Sequence, residues 1–161
     1  MWLETPVFAQ DLENFCGAAF IPWEKLRRKT IFVTGATGLI GYTLVSGLLY
    51  ASRKRGLDVK VLALVRSLPK AQEKYAAQLA DGNDLQFVVG TVEQLPPIAG
   101  PIDYIVHGAS QTASRAFVEH PVETINTAVN GTQNILELAR QKQVQGMVYL
   151  SSMEVYGQVQ E

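Results

Sequence analysis

The stretch Ile31-Phe32-Val33-Thr34-Gly35-Ala36-Thr37-Gly38-Leu39-Ile40-Gly41 constrains the fold more than any other part of the chain. An apolar, β-branched run comes first, then three glycines spaced three apart, then an apolar pattern at helical spacing. That order reads as strand, tight turn, helix. Gly35 allows the chain to turn where a side chain would clash. Gly38 allows close approach of backbone to a bound group, and Gly41 allows the helix to pack hard against the strand. The first amides of such a helix are unpaired and lie at its positive end, so the turn favours an anion.

The rest of the sequence repeats the theme of strand then helix. Strands are expected at 30–34, 59–65, 85–89, 102–107 and 147–151. Helices are expected at 38–55, 71–80 and 121–141, with Ile40, Leu44, Val45, Leu48 and Leu49 on the inner side of the first. Val59 to Val65 is almost wholly apolar, as in a strand buried on both faces of a parallel sheet. Such alternation implies right-handed crossovers and an α/β fold of Rossmann type: a doubly wound parallel sheet, order 3-2-1-4-5, with helices on both faces. In that fold a glycine turn after the first strand holds the pyrophosphate of a dinucleotide.

At the end of the second strand an acid would bind the ribose of NAD, but this chain has Val65-Arg66-Ser67. Arg66 suits the 2′-phosphate of NADP, or is a solvated surface arginine. The cofactor is therefore NAD or NADP.

Composition narrows the partners. With 161 residues the chain can bury one sizeable core. A net charge of −1 does not suggest nucleic acid or an anionic membrane as a partner. The single cysteine, Cys16, forms no internal disulfide. Glu4 and Asp11 near the start, without a basic leader, argue against a signal peptide, and no apolar run is long enough to span a bilayer. A cytoplasmic protein is expected. No His, Cys, Asp and Glu spacing suggests a metal.

Residues 1–29 read as a helical extension, with Leu12, Phe15 and Cys16 on one side and Asp11 as N-cap. It either packs on the outside of the 30–161 dinucleotide-binding domain or offers Trp2, Phe8 and Trp23 to a partner.

Four segments together carry a family resemblance. The turn Thr34-Gly35-Ala36-Thr37-Gly38-Leu39-Ile40-Gly41 is the first. It is followed in order by Asp103-Tyr104-Ile105-Val106-His107-Gly108-Ala109-Ser110, then by Val129-Asn130-Gly131-Thr132-Gln133-Asn134-Ile135-Leu136-Glu137. The last is Ser151-Ser152-Met153-Glu154-Val155-Tyr156-Gly157. Together they resemble the N-terminal part of the extended short-chain dehydrogenases/reductases, the nucleotide-sugar epimerase/dehydratase group. The resemblance implies NAD(P) binding by Gly35, Thr37, Gly38, Leu39, Ile40, Gly41, Gly108, Ala109 and Ser110; Arg66 joins them by its place after the second strand, and His107 either borders the cofactor or is simply a packed, hydrogen-bonded histidine ending the fourth strand. It implies a nucleoside-diphosphate sugar as substrate, oxidised transiently at C4. Ser152 maps to the hydroxyl that bonds the sugar oxygen, and Glu154 to a glutamate of dehydratase and decarboxylase relatives. The bland readings are a strand-end serine and a surface glutamate. Glu154 favours a 4,6-dehydratase or decarboxylase over a simple 4-epimerase. Ser110, Gln111, Thr112 and Ser114 either reach nicotinamide or sugar, or serve as turn residues.

The sequence also departs from the family. Ala128 replaces an asparagine, and Thr91 replaces an acid after the third strand. The Tyr-x-x-x-Lys that the family uses as catalytic base is not found in its place, and the substrate-binding half is expected to be absent. Tyr50-Ala51-Ser52-Arg53-Lys54 has the right letters but ends the first helix, away from the crevice. Tyr156 is followed four residues later by Gln160. The chain is therefore expected to be inactive by itself. The alternative is a naturally short NAD(P)-binding or regulatory module. An uncovered sheet face would either drive self-association, giving a homo-oligomer, or be masked by residues 1–29.

Overall fold

The structure is a computed structural model and describes residues 5–157. Five parallel strands form one sheet: β1 (Thr30–Thr34), β2 (Lys60–Val65), β3 (Leu85–Val89), β4 (Tyr104–His107) and β5 (Gly146–Tyr149). Their order is β3-β2-β1-β4-β5. Every neighbouring pair is parallel. Strands are added outward on one side of β1 as β2 and β3 and on its other side as β4 and β5, and this change in strand order creates the switch point at which such folds bind ligands. The doubly wound fold read from the alternating pattern is the fold observed.

Alternating side chains divide the core in two. Ile31, Val33, Val61, Ala63 and Val65 meet Val45, Leu48 and Leu49 of α2 (Leu39–Arg55). Phe32, Leu62, Leu64 and Ile105 meet Ile135 of α7 (Thr132–Lys142) on the opposite face. Gly56 stops α2 in a left-handed conformation, φ +63°.

The extension forms α1 (Pro6–Gly17). Its N-cap is Thr5, whose side chain accepts from the Phe8 amide, with Pro6 at the first turn. Asp11 is thus interior, because the Thr-Pro pair supplies an earlier start. Phe8, Leu12, Cys16 and Trp23 are buried in the α2-side core. The Phe15 ring lies against Gly47, where an added Cβ would be 2.9 Å from the ring. Trp2 and Glu4 lie outside the described residues.

Several boundaries differ from expectation. The helix expected at 71–80 is two pieces, α3 (Leu68–Lys74) and α4 (Ala76–Ala80), joined at Tyr75. It starts early because Pro69 suits a first turn and Ser67 is extended. The helix expected at 121–141 is preceded by α5 (Ser114–Glu119) and divided into α6 (Pro121–Asn126), a π-helical turn (Thr127–Gly131) and α7. The fourth and fifth strands are shorter than expected, since Ile102 and Leu150 lie outside the paired segments.

The described part of the extension, residues 5–29, does not mask the open end of the sheet. The described part packs along α2, while Val148 and Tyr149 of β5 remain exposed.

Candidate functional site

The C-terminal ends of β1, β4 and β5 meet in one row. Thr34 pairs in register with His107, and His107 with Tyr149. Beyond them the chain leaves as Gly35, Gly108 and Leu150, so three loops start at one edge. The Leu150 amide donates to the His107 carbonyl at 2.9 Å and carries the alignment one step further.

Gly35 has φ +69°, and a Cβ there would be 2.4 Å from the Gly108 carbonyl oxygen. It is needed both for the left-handed turn and for contact with the loop after β4. Gly41 packs against the turn itself, where a Cβ would be 2.2 Å from the Gly35 oxygen. Its expected role was packing against the strand; the close neighbour is the Gly35–Ala36 backbone that leaves it. Gly38 is the N-cap of α2, and its amide donates to the Gly35 carbonyl at 3.0 Å. The amides of Thr37, Leu39 and Ile40 have no hydrogen-bond partner among the described residues. They form an open set of donors at a helix N-terminus, the arrangement that suits a phosphate group.

Leu39 and Ile40 contribute backbone there, not core. Their side chains are 76% and 64% exposed, which corrects the expectation that Ile40 faces inward. In the first turn the helix axis points that face toward α1. Both line an apolar hollow of about 370 Å³ with Leu12, Phe15 and Leu44.

His107 is fully buried, and its ring has no free nitrogen. Nδ1 lies 2.7 Å from the Thr34 hydroxyl and Nε2 3.1 Å from the Thr132 hydroxyl. Burial lowers its pKa below the ordinary histidine value. The Thr34 oxygen also accepts from the amides of Gly108 and Ala109, at 3.2 and 3.1 Å. His107 therefore orders the loop that carries Gly108 and Ala109, and Ser110 follows exposed at the rim.

The Asn130–Asn134 segment has a positioning role that its letters alone did not disclose. Gly131 lies against Val92, with room for no Cβ: one would be 2.5 Å from the Val92 side chain. Thr132 meets His107, and the Asn134 side-chain Nδ2 donates to the Val92 and Glu93 carbonyls at 3.0 and 3.1 Å. These contacts tie α7 to β4 and to the loop after β3.

Arg66 is exposed at the end of β2. Its positive charge is felt by Glu93, a half-buried carboxylate that accepts from Thr127. Burial opposes ionisation of Glu93, but hydrogen bonds from Thr127, its own backbone and Thr91, with the Arg66 charge, bring its pKa below the ordinary value. Glu93 is thus an acid near the crevice that the missing acid at position 91 did not foretell.

Ser152 is exposed in the loop after β5, at the same edge as His107 and Gly35. A 3₁₀ turn, Met153–Tyr156, follows it. The Glu154 side chain lies outside what the structure describes. Tyr50 and Lys54 are far from this edge in function: both bond Glu13 and fasten α1 to α2. Among the described residues no group of three His, Cys, Asp or Glu could hold a metal ion, and no helix is long and apolar enough to cross a membrane.

Comparison with known proteins agrees with this geometry. The model of the NAD dependent epimerase/dehydratase family matches residues 31–161. The chain is 30% identical over 133 residues to a dTDP-glucose 4,6-dehydratase of Streptomyces antibioticus, covering 81% of this chain and 39% of that protein. It is 29% identical over 127 residues to a UDP-glucose 4-epimerase of Rickettsia prowazekii, covering 77% of this chain and 36% of that protein. Among solved structures, a dTDP-glucose 4,6-dehydratase of Streptomyces venezuelae with NAD bound superposes with a TM-score of 0.64 at 28% identity. That match covers 82% of this chain and 42% of the other. The chain thus spans about two fifths of the relatives it matches. Sheet order, glycine turn and matched family model agree, and the chain belongs to the NAD dependent epimerase/dehydratase family.

Proposed function

We propose that this chain is the dinucleotide-binding part of a nucleotide-sugar epimerase/dehydratase, with a 4,6-dehydratase or sugar-nucleotide decarboxylase favoured over a simple 4-epimerase. The observation that carries the reading is the glycine turn. Open amides at Thr37, Leu39 and Ile40 stand where Gly35 and Gly41 leave no room for a side chain. Those donors suit a pyrophosphate, so the residues present fit NAD or NADP.

When bound, the nicotinamide would supply reversible two-electron oxidation of the sugar at C4. The chain's own residues bind and orient. The α2 N-terminus takes the pyrophosphate, Arg66 faces the adenosine ribose, and Gly108, Ala109 and Ser110 border the nicotinamide end. Ser152 donates its hydroxyl to the sugar oxygen. The preference for dehydration or decarboxylation rests on Glu154 following Ser152 by two residues in the loop after β5. The tyrosine base and the sugar-binding residues would come from a segment outside these 161 residues. The exposed Val148 and Tyr149 on the open β5 support self-association of the chain alone.

Calorimetric titration with NAD and with NADP tests the reading. One dinucleotide should bind per chain, with UDP-glucose or dTDP-glucose alone binding far more weakly. Absence of saturable binding by either dinucleotide would refute it.

A further inference from the structure

Two residues outside the family motifs hold the glycine turn from behind. The Tyr75 hydroxyl donates to the Ala36 carbonyl at 2.5 Å. Its ring is fully buried between Tyr42 and Phe87, with centroids 5.1 and 5.8 Å away. Burial also raises the phenol's pKa, so the donor keeps its proton. The neighbouring Lys74 donates to the Thr37 carbonyl at 2.7 Å, with its ammonium 5.0 Å from the centre of the Tyr42 ring.

The carbonyl and amide of one trans peptide point in opposite directions. Fixing the Ala36 carbonyl toward Tyr75 therefore fixes the Thr37 amide away from α3. That amide is one of the open donors of the turn. Lys74 is placed less comfortably. It brings a positive charge to the positive end of α2, which a helix dipole disfavours. An anion on the same turn reverses that sign, since it is attracted by both the dipole and the ammonium.

We propose that Lys74 and Tyr75 are the positioning residues of the dinucleotide turn: Tyr75 fixes the Ala36–Thr37 peptide, and Lys74 supplies charge that strengthens its hold on a pyrophosphate. This inference rests on the dinucleotide reading above. It assigns a role to the segment after β2 separate from that of Arg66, which faces the ribose.

Fluorescence titration with NADH and NADPH tests it, using the wild-type chain, Lys74→Met, Lys74→Arg and Tyr75→Phe, each at low and high salt. Lys74→Met should weaken both dinucleotides about tenfold at low salt, and the deficit should shrink at high salt as the charge is screened. Lys74→Arg should recover most of the loss. Melting temperature should not move with either Lys74 variant, because that side chain is exposed. Tyr75→Phe should weaken binding by a similar factor at both salt concentrations. If Tyr75→Phe fails to fold, Lys74→Met decides by itself. A wild-type chain that binds while Lys74→Met binds equally at both salts overturns the inference and leaves the functional reading intact. A wild-type chain that binds neither dinucleotide overturns both.

Discussion

Thr34 donates its hydroxyl proton to Nδ1 of His107 across 2.7 Å, and this bond sets the tautomer at the centre of the crevice. The direction follows from counting. The Thr34 oxygen already accepts from the Gly108 and Ala109 amides, so its one proton goes to the imidazole. His107 then carries its own proton on Nε2 and donates it to Thr132. A neutral side chain thus joins β1, β4 and α7 where their loops begin.

Acid should loosen this junction. Protonated His107 would donate from both nitrogens, and the Thr34 hydroxyl proton would lose its acceptor. Burial lowers the folded-state pKa, so the unfolded chain binds the proton first. The stabilisation from neutral His107 is complete above the ordinary value of about 6.5 and is lost as pH falls from there through the lowered folded value. Urea midpoints measured across that window should fall for the wild type and change less for His107→Phe. That variant should itself cost about 1–3 kcal/mol, since it strands the Thr34 and Thr132 hydroxyls.

The glycines should be intolerant in a graded way. Gly35→Ala meets both a positive φ and the Gly108 backbone and should cost about 2–4 kcal/mol with loss of dinucleotide binding. Gly56→Ala meets nothing within 4 Å and suffers only the strain of φ +63°, so about 1 kcal/mol is expected, with binding kept. Chemical denaturation and titration of both variants separate the two effects.

Arg66→Ala distinguishes the cofactors. If the guanidinium meets a 2′-phosphate, affinity for NADP should fall about 10- to 100-fold while NAD is unaffected. Equal affinity for NADP before and after the change removes Arg66 from the site. Glu93→Gln is the companion variant, because it removes the carboxylate whose ionisation the Arg66 charge favours.

The extension should belong energetically to the domain. Leu12 is buried beneath α1, so Leu12→Ala is expected to cost about 2–4 kcal/mol. Glu13→Gln, which loses exposed contacts to Tyr50 and Lys54, should leave the melting temperature almost unchanged. Thermal melts of the two variants test whether α1 folds with the sheet or separately.

The sheet was legible because continuous apolar runs such as Val61–Val65 and the glycine turn leave few alternatives. Less legible were interruptions dictated by distant neighbours. The helix expected over 121–141 runs on through a π-helical turn where Gly131 fits against Val92, a contact 39 residues apart in sequence that helical periodicity does not report. His107 could be read as a packed, hydrogen-bonded residue ending the fourth strand, but its partners, Thr34 and Thr132, could not. Lys74 and Tyr75 could not be read at all, since their acceptors are backbone carbonyls that could belong to any residue. Glu93 escaped notice because it stands two positions beyond the place where an acid was sought.

The amides of the glycine turn can be followed directly. In a 15N-labelled chain, adding NAD or NADP should produce saturable shifts concentrated at Thr37, Leu39, Ile40 and Ala109, with Tyr50 near the C-terminal end of α2 and Cys16 of α1 beside Arg55 unmoved. Shifts absent from the turn, or centred instead on the α1–α2 hollow, would contradict a dinucleotide site at Gly35, Gly38 and Gly41.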